Sequence, residues 1–300
     1  MKSKRRDFLK LAGLTGLSVA GGGLLNGFPS PLSSISSTDK NVNLMPEDNL
    51  SLIGLYGPWA ASLHDNRLPS FSFRRKEWSK LETWKEAAKK QLHERLAIPD
   101  IGGTPEVKIN KQYNYDGLHI EELTWQLPYG RPTEAILLKP QNATGKLPGI
   151  LAFHDHGGNK YFGTRKITRT SDDQHPLMKT HQQEYYENFA WANEIAKRGY
   201  VVLVSDAFPF ASRRVMMQDI PEHLRQGLTD QNPENAENIK AYNEWAGEHE
   251  HVMAKSLFCA GTTWPSLFFA EDRKALDVLC ARKDVDANNI GCCGLSGGGM

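Results

Sequence analysis

Apolar and polar positions alternate through residues 106–140, where Tyr, Ile, Leu, Thr and Trp recur at close to every second place. A period of two puts one face of a strand against a core. It predicts strands near 106–114, 118–127 and 133–139, joined by turns at Tyr115-Asp116-Gly117 and Tyr129-Gly130-Arg131-Pro132, as an antiparallel start to a sheet. From Leu147 the pattern changes. Pro148–Phe153, Tyr200–Ser205 and Asn289–Cys293 are short, nearly continuous apolar runs, as strands buried on both faces require. Helical periodicity at Tyr185–Arg198, closed by Gly199, and at Ala270–Arg282 alternates with them. The alternation predicts an α/β fold, a mostly parallel sheet covered by helices.

Upstream, Trp78, Leu81, Trp84, Ala88, Leu92 and Leu96 recur at steps of three and four. They predict one helix across 72–98 with a single apolar face, stopped by Pro99 and Gly102-Gly103. Residues 41–70 read as a loop-rich lead-in. Two long polar stretches, His156–Glu184 and Phe208–Trp264, interrupt the strand–helix pattern. Insertions of that length at strand ends are more often functional than filler. The chain therefore divides into a leader and linker (1–40), an N-terminal extension (41–105) and an α/β domain (106–300).

The leader carries Ser3-Lys4-Arg5-Arg6-Asp7-Phe8-Leu9-Lys10 and then a glycine-rich apolar stretch, Leu11–Phe28. It resembles a twin-arginine export signal, and the stretch is too short and glycine-rich for a good membrane span. The expectation is export to the periplasm or beyond by the twin-arginine (Tat) machinery, without stable membrane insertion. Removing the leader changes the charge picture. Residues 1–40 hold six basic and two acidic side chains, so the chain's net +1 becomes about −3 for the rest. That gives no electrostatic case for nucleic acid. A hydrophobic fraction of 39% with 24% charged residues fits a core-forming chain rather than a disordered one.

The last residues carry the chemistry. Ile290-Gly291-Cys292-Cys293-Gly294-Leu295-Ser296-Gly297-Gly298-Gly299 reads as a strand breaking into Gly-x-Ser-x-Gly. That is the pattern of a nucleophile elbow, in which a serine sits on a strained strand-to-helix turn and the glycines avoid clashes. Ser296 is the candidate nucleophile. The Gly297 amide would face the oxyanion of a tetrahedral intermediate. His154-Asp155-His156-Gly157-Gly158 follows another strand directly, where the second oxyanion amide is expected. The backbone N–H of His156, or of an immediate neighbour, is the candidate. His154 would hold that loop by hydrogen bonds, and Asp206, at the end of its strand, would orient loops or stabilise a turn.

The remaining polar groups receive structural readings. His249 and His251, with Glu248 and Glu250, read as a solvated helix face. Asp272 and Asp277 read as a helix surface feature or packing partners. Adjacent Cys292 and Cys293 read as small buried core residues, and export would permit a Cys259–Cys280 disulfide. No cysteine spacing resembles a zinc site, so neither metal nor cofactor is expected. The competing metal reading would use His154 and His156, helped by His175 and His181.

Phe-His-Asp-His-Gly-Gly after one strand, Val-Val-Leu-Val-Ser-Asp-Ala after the next and the elbow together resemble the α/β-hydrolase superfamily. More narrowly they resemble its dienelactone-hydrolase-related, acetyl-xylan-esterase-like branch, over roughly Lys108–Met300. Gly57-Pro58-Trp59-Ala60-Ala61-Ser62-Leu63 is similar to the lead-in of exported members. The resemblance implies a serine hydrolase of carboxylic esters, with acyl esters on carbohydrate or small molecules as the expected substrates. In this architecture the acid and the histidine follow the serine, whereas all ten histidines here precede Ser296. The expectation is that both lie beyond residue 300, that the fold is incomplete at its C-terminal edge, and that these residues alone turn over little. A prolyl-oligopeptidase-like peptidase and a non-catalytic binding protein on the same scaffold are the alternatives.

Overall fold

The computed structural model describes residues 51–63, 68–231 and 233–300. The expected leader therefore lies outside the described residues. The chain forms two units, divided between Leu68 and Pro69. In the first, a short 3₁₀ turn at Gly54–Tyr56 runs into helix α1 (Gly57–Ser62), with Pro58 in its first turn. Everything below concerns the second.

Six strands make one sheet: β1 (Val107–Tyr115), β2 (Leu118–Trp125), β3 (Thr133–Pro140), β4 (Leu147–Phe153), β5 (Val201–Ser205) and β6 (Val285–Gly294). Their order is β1-β2-β3-β5-β4-β6. The β1–β2 hairpin closes through Asp116 and Gly117, both at positive φ, the two-residue turn that suits strand twist. Pairings from β1 to β5 are antiparallel, and those of β5 with β4 and β4 with β6 are parallel. The sheet is thus mixed. Four strands run one way, but only three are paired in parallel.

Alternation along β5 shows how the sheet is covered. Val201 and Leu203 join a core with Leu151, Val278 and Leu279; Val202 and Val204 join one on the other face with Ala152, Ala192 and Ala196. The first face is covered by helix α6 (Trp264–Cys280) and the second by α4 (Trp191–Lys197).

Several element boundaries differ from expectation, each for a local reason. Helix α2 spans only Leu81–Leu96. Residues before it are held irregular by Trp78, which stacks on Phe71 and donates from Nε1 to the Ser70 carbonyl, 2.8 Å away. No α2 side chain is fully buried, and Leu81 and Leu92 are exposed. The helix expected at 185–198 is two: α3 (Pro176–Tyr186) and α4, parted where Glu187 and Asn188 turn left-handed. Helix α6 starts six residues earlier than expected because Thr263 and Ser266 form a capping box. Strand β6 starts at Val285 and bulges after Asp286, whose carboxylate accepts from Asn288 N–H and the Asn289 amide.

The cysteine reading needs correction. All four thiols are free; Cys259 and Cys292 are exposed, and Cys280 and Cys293 partly so. β6 is last in the sheet order and pairs β4 on one side, so no strand among the described residues covers its outer side.

Candidate active site

The elbow forms where β6 ends. Ser296 has φ 56°, a left-handed conformation costing a non-glycine residue about 1–3 kcal/mol. A 3₁₀ turn, Ser296–Gly299, follows. The motif glycines answer to close backbone contact. A Cβ on Gly294 would overlap the Gly298 carbonyl, and one on Gly298 would lie 2.5 Å from the Phe153 carbonyl oxygen and 3.0 Å from that of His154. The turn is therefore pressed against the end of β4. A Cβ on Gly297 would meet the His156 backbone nitrogen at 3.1 Å. The two candidate oxyanion amides, far apart in sequence, are neighbours.

The loop after β4 is tied down from below. His154 is buried; its Nε2 accepts from Ala207 N–H at 3.1 Å, which leaves Nδ1 to donate to the Asp155 carbonyl at 3.0 Å. Burial, with Lys166 nearby, lowers its pKa to about 3, so the ring is neutral. Asp155 accepts from His181 Nε2 (3.1 Å) and the Tyr186 hydroxyl. Burial pushes its carboxyl up, but His181, Lys166 and Tyr186 together hold it well below the usual range. Asp206, fully sequestered at the end of β5, accepts from Thr164 N–H (2.7 Å) and Ser212 N–H (3.1 Å), joining both insertions. Burial raises its pKa against those bonds.

The side chain of His156 makes the contact that the sequence reading missed. Gly158 N–H donates to its Nδ1 at 3.1 Å, and its Nε2 lies 2.7 Å from Glu250 Oε1 and 3.0 Å from Lys160 Nζ. Glu250 also takes an ion pair from Lys160, which is almost fully buried. Glu250 lies on the long helix α5 (Ala236–Cys259). It was expected on a solvated face and instead reaches the site. No spacing rule links it to His156, because folding of the second insertion brings them together. His249 stacks on Trp245 with ring centroids 4.6 Å apart.

Beside Gly297 and Gly298 opens a cavity of about 300 Å³ with aromatic walls of Phe210, Trp264 and Phe268. Glu250 and Asp272 bring carboxyls to it. Asp272 was read as a surface or packing group; burial, then the charge of Glu271, raises its pKa to about 8. None of the described histidines hydrogen-bonds Ser296; those near it are committed elsewhere, and His175 caps α3. No group of metal-ligating side chains comes together among the described residues.

No family model matches the chain. YtaP of Bacillus subtilis, a candidate hydrolase, is 23% identical over 181 residues, covering 60% of this chain and 46% of its own. A candidate acetyl xylan esterase from Bacteroides fragilis superposes with a TM-score of 0.54 at 19% identity, over 84% of this chain and 56% of that one. A glucuronoyl esterase from Solibacter usitatus gives a TM-score of 0.44 at 12% identity, over 77% of this chain and 58% of its own. The chain thus spans about half the length of the proteins it matches. Its mixed sheet, the strained serine after β6 and the Bacteroides likeness give it the α/β-hydrolase fold.

Proposed function

We propose that this site is the acyl-transfer centre of a serine carboxylic-ester hydrolase. One observation carries the reading: Ser296 is held at φ 56° with the His156 backbone nitrogen against Gly297. Ser296 Oγ attacks the ester carbonyl carbon, and the carbonyl oxygen takes up negative charge facing the Gly297 and His156 N–H groups. The serine proton passes through a base to the leaving alcohol, and water then cleaves the acyl-serine. His154 serves as a loop support, since both its ring nitrogens are bonded to backbone.

The acyl esters of carbohydrates are the proposed substrates. The esterase neighbours support the class, and the aromatic cavity supports an organic group seated beside the elbow. The twin-arginine-like leader supports a periplasmic or extracellular place of action. The test compares hydrolysis of p-nitrophenyl acetate and acetylated xylan by the full-length protein and by its Ser296→Ala variant. The full-length protein should hydrolyse both and lose at least about 1,000-fold on Ser296→Ala, on the order of the loss when a catalytic nucleophile is removed. Turnover unaffected by Ser296→Ala would overturn the assignment.

A further inference from the structure

Lys166 ends the 3₁₀ turn Thr164–Lys166 in the first insertion, and its side chain is wholly buried. Burying an ammonium is costly unless charge and hydrogen bonds compensate it. Its Nζ donates to two consecutive carbonyls, that of Asp155 at 2.8 Å, which it shares with His154 Nδ1, and that of His156 at 2.9 Å, which it shares with Asn159 N–H. It also lies 4.6 Å from the Phe210 ring centroid and 3.9 Å from Asp155 Oδ2, an oxygen with no hydrogen-bond partner.

The direction of those two carbonyls has a consequence. In a trans peptide the N–H points opposite to the preceding C=O. An amine that donates to the carbonyls of residues 155 and 156 therefore sends the N–H groups of His156 and Gly157 the other way. The His156 nitrogen is the atom that lies against Gly297. The loop needs such an anchor, because Gly157 (φ 52°) and Gly158 (φ 62°) follow at once and glycine gives little resistance to peptide rotation.

We propose that Lys166 is a positioning residue for the oxyanion hole, pinning the 155–156 peptide so that the His156 N–H faces the reacting carbonyl. The proposal rests on the serine-esterase reading. Lys166 is too deeply buried to touch substrate and acts through the backbone it holds. An oxyanion donor binds the transition state more strongly than the ground state, so its loss lowers kcat and leaves KM nearly unchanged.

The experiment measures aryl acetate hydrolysis by the full-length enzyme, its Lys166→Met and Lys166→Ala variants, and Ser296→Ala. Lys166→Met keeps the volume and removes the donors. We expect kcat to fall about 10–100-fold, below the full loss of one oxyanion donor, with KM changed less than about threefold. Added n-propylamine should recover activity in Lys166→Ala, and n-propanol should not. A crystal structure of Lys166→Met should show the 155–156 peptide turned. An unchanged kcat, a loss confined to KM, or a variant structure whose His156 N–H still faces Gly297 overturns the positioning role. Hydrolysis that survives Ser296→Ala overturns the underlying reading instead, and the variant structure reports on the peptide in either case.

Discussion

Ser296 and its flanking glycines show how much a single residue's surroundings decide. Gly298 and Gly297 lie side by side but should fail differently. A methyl at 298 meets fixed strand backbone, so Gly298→Ala should destabilise the fold by about 1–3 kcal/mol, read by denaturant unfolding. A methyl at 297 meets the His156 backbone at 3.1 Å, tight but tolerable, so Gly297→Ala should keep most stability and lose kcat by displacing the amide. Asp272 makes a prediction of pH. Its folded pKa of about 8 stands above the ordinary 3.8. Below pH 4 both folded and unfolded chains hold the proton. Between about 4 and 8 only the folded chain does, so stability falls as pH rises and the penalty is complete above 8. Asp272→Asn should therefore gain Tm over the parent progressively from pH 4 to 8, and a constant Tm difference would refute this. Ser296, Gly297, His154, His156 and Asp206 could be picked out in the sequence because each sits at a strand end in a short motif. Wholly buried Lys166 and half-buried Asp272 could not, because distant segments set their surroundings.

At the scale of elements, the second insertion is less a surface loop than a support for the site. Asn243 of α5 accepts the backbone N–H groups of Lys160 (2.9 Å) and Tyr161 (3.0 Å), and Trp245 and Tyr242 fill a small core beneath. One turn or two further on, Glu250 meets Lys160 and His156. Burial lowers the pKa of Lys160 while Glu250 opposes it. Removing the carboxylate would strand a buried cation. Glu250→Gln should cost about 1–3 kcal/mol, less than a fully buried pair because Glu250 is one-third exposed. Adding Lys160→Met to Glu250→Gln should recover most of that loss, and strictly additive losses in a double-mutant cycle would show that the pair is not coupled. The periodicity located the strands to within a few residues, since alternation and apolar runs report burial directly. It failed where capping or turning overrides periodicity: Thr263 with Ser266 extends α6 backwards, and the left-handed pair Glu187-Asn188 divides one expected helix into two. The exposure of Cys292 belongs here too, because an apolar strand is buried on both faces only where elements cover both.

Across the whole molecule, one ionic cluster couples the antiparallel half of the sheet to the strand that carries the elbow. Arg282, just after α6, grips buried Glu121 of β2 with two bonds of 2.9 Å and Asp284 with bonds of 2.9 and 2.8 Å. Lys139 of β3 reaches the same Asp284 at 2.7 Å. β6 begins one residue later, so the cluster fixes where that strand enters the sheet. Burial pushes the Asp284 carboxyl up, but hydrogen bonds from Arg282 and Lys139 outweigh it and hold the pKa well below the ordinary 3.8. A carboxylate with a depressed folded pKa contributes stability above its unfolded pKa and loses it as pH falls through the folded one. Asp155 behaves alike at the site. The molecule should therefore lose stability steadily below pH 4, and the loss should involve both the sheet and the elbow. Arg282→Leu separates the two carboxylates. It should cost about 3–5 kcal/mol at pH 7, because Glu121 is left buried without its main partner. It should also flatten the acid limb, since Asp284 then keeps only Lys139, whereas an acid limb as steep as the parent's would place the sensitivity elsewhere. If the cluster sets the register of β6, the variant should also lose the proposed ester hydrolysis in conditions where it remains folded, because a shifted strand moves Ser296 away from His156.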